Sequence, residues 1–371
     1  MKLATYKDGS RDGQLVVVSR DLCLAHYATG VATRLQQVLD DWNYLAPLLQ
    51  DLSETLNHGK ARHAFAFDPQ MCMAPLPRAP GRSLAQAYPA HAEALARATG
   101  QAAPPRGTLP VRLRPSDALL GPTDDVFFPL GAAMGAPVVV WPDFGAGLAV
   151  ITGDVEAGAS PEQALDGVRL LTLVNDWRLV PADGAGAEAG PQAQADALGL
   201  GGWAACAPVA VTLDELGPAW QRGRLAARLE VAVNDQPWGP LDTAAGMAFH
   251  FGQLIAQLAR QRPLRAGFVV GAGPISQPEG GGCASWLERR ARALCPAESP
   301  VGADVAETDV PARKGRSARS KAAADASAPL AAPAPLAAPA PLQEGDRVRL
   351  ELIGADGMSL CGAVDQAWLP V

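Results

Sequence analysis

This chain lacks the residue pairs and runs on which several common functions rest. Its six cysteines (Cys23, Cys72, Cys206, Cys283, Cys295 and Cys361) include no C-x-x-C pair, so neither a zinc site nor a thioredoxin-like centre is suggested and buried reduced thiols are the expectation. No apolar run approaches the roughly 18–20 residues that span a bilayer. Residues 1–8 lead into polar sequence instead of a signal-peptide core. A cytoplasmic location with no membrane partner is therefore expected. Basic charge is in deficit, with 31 Lys and Arg against 38 Asp and Glu for a net charge of -7. A general nucleic-acid surface, which needs clustered cations, is not expected.

What is present is enough apolar mass for a core: 371 residues, 48% hydrophobic, the size of one large domain with a smaller module. Residues 1–73 read as a small N-terminal α+β domain. Short strands over 1–6, 14–19 and 21–26 flank a hairpin turn at 7–13, and helical spacing runs over 33–42 and 45–57. From 74 to 295 short apolar strands alternate with isolated helices. One helix begins at Glu162 behind Ser160 and Pro161, and a clearer one spans 246–260; strands are expected over 168–174, 205–212 and 225–233. The fold class is α+β and β-rich, with a mixed β second domain in preference to a doubly wound sheet.

Residues 296–342 break the pattern. A basic run at 313–321 is followed by Ala and Pro, with Pro-Leu-Ala-Ala-Pro-Ala occurring twice between Pro329 and Ala340. Such a segment cannot bury a core and reads as a disordered insertion. Residues 343–371 return to a strand pair, over 347–353 and 359–365, that completes the second domain. Gly271-Ala272-Gly273-Pro274 lacks the third glycine of a dinucleotide loop and is not read as one.

The stretch 138–154 reads as two β-rich runs joined by a short turn, with Gly145 and Gly147 at alternate positions. Alternation sends those two positions to one face, which glycine leaves bare. Whether Asp143 shares that face depends on the strand being regular past Pro142.

Five segments together resemble the fumarylacetoacetate hydrolase family: Met73-Ala74-Pro75-Leu76-Pro77-Arg78-Ala79-Pro80, Leu148 to Val155, Leu173-Val174-Asn175-Asp176-Trp177, Phe249-His250-Phe251-Gly252-Gln253-Leu254-Ile255-Ala256 and Gly345-Asp346-Arg347-Val348-Arg349-Leu350. The resemblance implies a small N-terminal domain, a C-terminal mixed β-roll and a homodimer. It also implies cleavage of carbon–carbon bonds in acylpyruvate-type diketo acids with Mg²⁺ or Mn²⁺. A hard cation held by carboxylates chelates a 2-keto acid and stabilises the departing enolate, while a histidine activates water.

Carried over by position, the resemblance keeps His91 as the catalytic histidine and Asp176 as a metal ligand. The other three ligand positions are Leu84, Gly145 and Gly147, in Asp143-Phe144-Gly145-Ala146-Gly147 where the family resembles Asp-Phe-Glu-Ala-Glu. The family arginine falls on Val180, its lysine near Gly201 and its threonine on Pro274. One carboxylate cannot hold Mg²⁺ or Mn²⁺ tightly. The expectation is thus a family scaffold that has lost metal-dependent activity, with no cofactor. The alternative is an active hydrolase or lyase on a small 2-keto acid using His91 and Asp176, with Mg²⁺ or Mn²⁺ if the family activity survives. His91 and Asp176 also have plain structural readings, as a satisfied histidine and as a carboxylate satisfied by backbone amides.

Overall fold

The computed structural model describes residues 1–105, 107–128, 140–181, 202–278, 281–296 and 339–371. Gly9 and Gly13, at φ +85° and +58°, turn the chain between strands β1 (Lys2–Tyr6) and β2 (Gln14–Val18). Strand β3 (Leu24–Tyr27), helices α1 (Leu35–Asp40) and α2 (Trp42–Asn57) and strand β4 (Phe65–Ala66) complete the N-terminal part. Leu35, Val38, Leu39, Leu49 and Leu56 press the helices onto Leu3, Leu15 and Val17 of the strands. Buried leucines of this kind contribute about 1.5–3 kcal/mol each.

There follow β5 (Arg82–Ala85), α3 (Pro89–Thr99), β6 (Val111–Arg114), β7 (Val126–Phe128), β8 (Val140–Thr152), α4 (Pro161–Asp166) and β9 (Val168–Pro181). Next come β10 (Trp203–Cys206), β11 (Val209–Thr212), α5 (Leu213–Leu216), β12 (Trp220–Gln221), β13 (Arg224–Leu225), β14 (Arg228–Val233) and β15 (Gln236–Asp242). Helix α6 (Phe251–Leu258), strand β16 (Val269–Gly271), helix α7 (Trp286–Leu294) and strands β17 (Arg347–Ile353) and β18 (Val364–Pro370) end the chain.

One sheet runs β4-β3-β2-β1-β11-β9-β8-β16-β5-β6, with β10 also on β9; a second runs β15-β14-β17-β18-β7. This is the expected β-rich α+β architecture. The large sheet includes strands on both sides of residue 73, because β1 pairs antiparallel with β11, Lys2 opposite Val211.

Four local expectations are corrected. The stretch 138–154 holds no turn: from Val140 to Thr152 it is a single strand, with Pro142 opposite Leu179 and Asp143 opposite Arg178 on β9. Proline is tolerated near that end because its missing N–H falls outside the pairing. Residues 205–212 form two strands, broken at Ala207-Pro208 where proline removes a donor. The 246–260 helix is confined to Phe251–Leu258, with His250 extended as its cap. The last strand lies at Val364–Pro370 instead of 359–365. The insertion expected over 296–342 falls outside the described residues except at 296 and 339–342.

Candidate active site

Strand alternation puts Asp143, Gly145 and Gly147 on one face of β8, opposite Arg178, Asp176 and Val174 of β9. The regularity of the strand thus settles the placing of Asp143, which shares the glycines' face. That face is covered, which corrects the expectation that glycine leaves it bare. The chain leaving β16 runs along β8, with Ala272 N–H donating to Leu148 O at 2.9 Å and Ile275 N–H to Ala146 O at 2.9 Å. A Cβ on Gly147 would land on the Gly273 carbonyl, and one on Gly145 would stand 2.8 Å from Pro274 Cγ. Gly273 is itself wedged, at φ +88°, against the Ala85 carbonyl. The glycines are therefore required by a close backbone approach.

Both carboxylates on this face are held by arginines. Asp176 forms an ion pair with Arg82 of β5, whose side chain is 5% exposed against 18% for Asp176. Burial pulls the Arg82 guanidinium down to about 10, still charged at neutral pH. Asp143 is fully buried; its Oδ2 accepts from Arg178 Nε at 2.7 Å and lies 2.6 Å from Nη2 of the same ion pair. Its Oδ1 accepts from Leu287 N–H at 2.8 Å and from Ser285 Oγ at 3.3 Å, placing negative charge at the N-terminus of α7. Asp176 is thus paired with a guanidinium, and among the described residues no backbone amide donates to its carboxylate. Arg82 and Arg178 had no sequence signal tying them to these partners.

His91 sits on α3, buried at 4% exposure, with Nδ1 2.8 Å from Glu288 Oε2. Glu288, on α7 and fully buried, accepts from Ser276 Oγ at 2.6 Å and Arg292 Nε at 2.8 Å through Oε1. Burial pushes the Glu288 carboxyl up, but the hydrogen bond and charge of His91 and the charge of Arg292 outweigh it and hold the group below the ordinary 4.5. Sequence reasoning missed Glu288. The available trace was Ser285-Trp286-Leu287-Glu288, a helix-start pattern, and Ser285 Oγ does accept the Glu288 N–H at 3.2 Å. Nothing in that pattern points 197 residues back to His91.

Between these groups lies a cavity of about 30 Å³, bounded by Leu84, Gln86, His91, Arg112, Arg178 and Pro274. That holds a water or two, whereas ligand pockets run to about 300–1,000 Å³. A larger cavity of about 380 Å³ lies beside α3, lined by Pro89, Glu93, Arg97, Phe249 and Pro278 but not by His91. The site does not suit a divalent metal. Asp176 already holds Arg82, the glycine positions have no room for carboxylates, and no group of three His, Cys, Asp or Glu among the described residues is arranged to hold one. Val180 and Pro274 supply no cation or hydroxyl, and Gly201 lies outside the described residues.

Fold and site together define a protein of the mixed β-roll kind that carries a small N-terminal module on its sheet. Residues 82–361 match the fumarylacetoacetate (FAA) hydrolase C-terminal model and residues 1–78 the fumarylacetoacetase N-terminal domain 2 model. The chain belongs to the fumarylacetoacetate hydrolase family. A search of curated protein sequences finds no match. Among solved structures it is similar to a maleylpyruvate hydrolase from Sphingobium sp. SYK-6 in complex with manganese(II) and pyruvate, at TM-score 0.57 and 15% identity, covering 100% of this chain and 99% of that one. It is similar to the fumarylacetoacetate hydrolase of Exiguobacterium antarcticum at TM-score 0.58 and 15% identity, covering both chains fully. A 5-carboxymethyl-2-hydroxymuconate delta-isomerase from Mycobacterium smegmatis follows at TM-score 0.52 and 14% identity, covering 100% and 99%. The solved structures that share this fold thus include proteins named as hydrolases and as an isomerase. Among the described residues no helix is long and apolar enough to cross a membrane.

Proposed function

We propose that this chain is a member of the family that has given up metal-dependent cleavage of diketo acids and serves as a binding or regulatory protein on the same scaffold. The observation that carries this reading is the Arg82–Asp176 ion pair: the remaining ligand-position carboxylate is neutralised from within the protein. The seating of Gly273 and Pro274 on Gly147 and Gly145 supports it, because that packing occupies the space where ligand side chains would project. Purified protein is expected to take up no Mg²⁺ or Mn²⁺ in a calorimetric titration and to release no pyruvate from acylpyruvates. Metal-dependent pyruvate release that Asp176→Ala abolishes would overturn the reading.

A second reading rests on the His91–Glu288 pair beside its small cavity. A carboxylate bonded to Nδ1 orients an imidazole and leaves the other ring nitrogen to activate water. On this reading the chain is a metal-free hydrolase or lyase of a small 2-keto acid, and His91→Ala must abolish whatever turnover is measured. The homodimer implied by the family stays part of the proposal, and sedimentation of the full chain tests it.

A further inference from the structure

From Pro339 onward the chain lies along α7 and is held there by specific contacts. Arg290 Nη1 donates to the Pro339 carbonyl at 3.1 Å and Trp286 Nε1 to the Ala340 carbonyl at 2.9 Å. Positions four apart on a helix share a face, so both donors stand on one shelf. Trp141 meets Trp286 edge to face at 5.8 Å and carries the Arg290 guanidinium 4.8 Å above its ring. Two residues further on, Leu342 is buried at 6% exposure in the same core cluster as Trp286.

The shelf thus reads two successive carbonyls, and the leucine that follows them is buried in the core. Pro339 and Pro341 have fixed φ, and Ala340 is kept out of the helical region by the proline after it, so the element is extended before it docks. Such pre-extended segments dock on aromatic shelves with little entropy lost. The sequence contains this ligand twice: Ala332-Pro333-Ala334-Pro335-Leu336 is identical to Ala338-Pro339-Ala340-Pro341-Leu342. Carbonyl and leucine contacts cannot tell the copies apart.

We propose that the Trp286–Arg290 shelf is a recognition site for an extended Ala-Pro-Ala-Pro-Leu element, and that residues 332–336 of the same chain are its second ligand, docking six residues out of register. The exchange puts Leu336 in the place of Leu342 and adds six residues to the stretch leading into β17. The first register is favoured because it alone keeps the bond from Gln343 Nε2 to the Pro341 carbonyl, 2.8 Å long, and closes the shorter loop. The second copy takes over when the first is weakened.

The test is a double-mutant cycle on the full chain, read as melting temperature. Leu336→Ala alone is expected to shift it by less than about 1 °C and Leu342→Ala by about 1–2 °C, with the double variant losing about 5 °C or more. Additive losses would overturn the proposal. A milder cycle, Pro341→Gly with and without Pro335→Gly, gives the same answer if the double leucine variant does not fold. Both are run at two protein concentrations; a rescue that strengthens with concentration means docking from a second molecule and overturns the same-chain assignment.

Discussion

At the scale of single residues the site is governed by charge neutralisation. A carboxylate taken out of water without a partner is costly, and Arg82 and Arg178 neutralise the half-buried Asp176 and the buried Asp143. Glu288 follows the same rule with His91 and Arg292. Its depressed folded value means that its contribution to stability is present above pH 4.5 and is lost as pH falls through the lower, folded value. Glu288→Gln is expected to lower unfolding free energy at pH 7 by about 1–3 kcal/mol and to flatten the acid limb of the stability profile. Urea unfolding of both proteins between pH 3 and 7 checks this; parallel profiles would show that Glu288 does not titrate on unfolding. Of these residues, the sequence exposed His91 and Asp176 through the family pattern. Their partners were hidden because Arg82 and Glu288 approach from elements 94 and 197 residues away.

At the scale of the element, β8 is decided by its neighbours on both sides. It pairs with β9 for its whole length, and with β16 and the chain beyond it on the other edge. The pairing with β9 carries the strand straight through Pro142-Asp143, where local turn propensity alone suggested a break. It also sets the tolerance of the two glycines. Gly147→Ala drives a methyl group onto the backbone carbonyl of Gly273, which cannot move without shifting the contact with Ala85. A loss of about 3 kcal/mol, the upper end for overpacking, is expected. Gly145→Ala meets only the edge of the Pro274 ring and should cost about 1 kcal/mol. Equal melting temperatures for the two variants would contradict the packing described. By the same argument, installing acids at 84, 145 and 147 is expected to unseat the Gly273–Pro274 segment instead of creating a metal site.

At the scale of the whole molecule, one sheet joins the N-terminal strands to the rest through β1 and β11. Residues 1–73 made alone would leave β1 with an unpaired edge and Leu3 without the far side of its core. They are expected to show no cooperative thermal transition by circular dichroism, while the full chain melts with one; a cooperative melt of the fragment would show that it folds independently. The β-rich α+β class, the first hairpin, the helix behind Ser160 and the family were legible from sequence, because turn chemistry, caps and hydrophobic period are local and the family pattern is a string of residues. The identity of the atoms facing Asp176, Asp143 and His91 was not. Those contacts form between strands and helices that meet only when the large sheet closes, and no local preference encodes which distant arginine or glutamate will be there. The sequence by itself determined that Gly145 and Gly147 offer no ligand; only the tertiary structure decided that the space beside them is filled by Gly273 and Pro274, because filling it depends on where the chain from β16 is laid down.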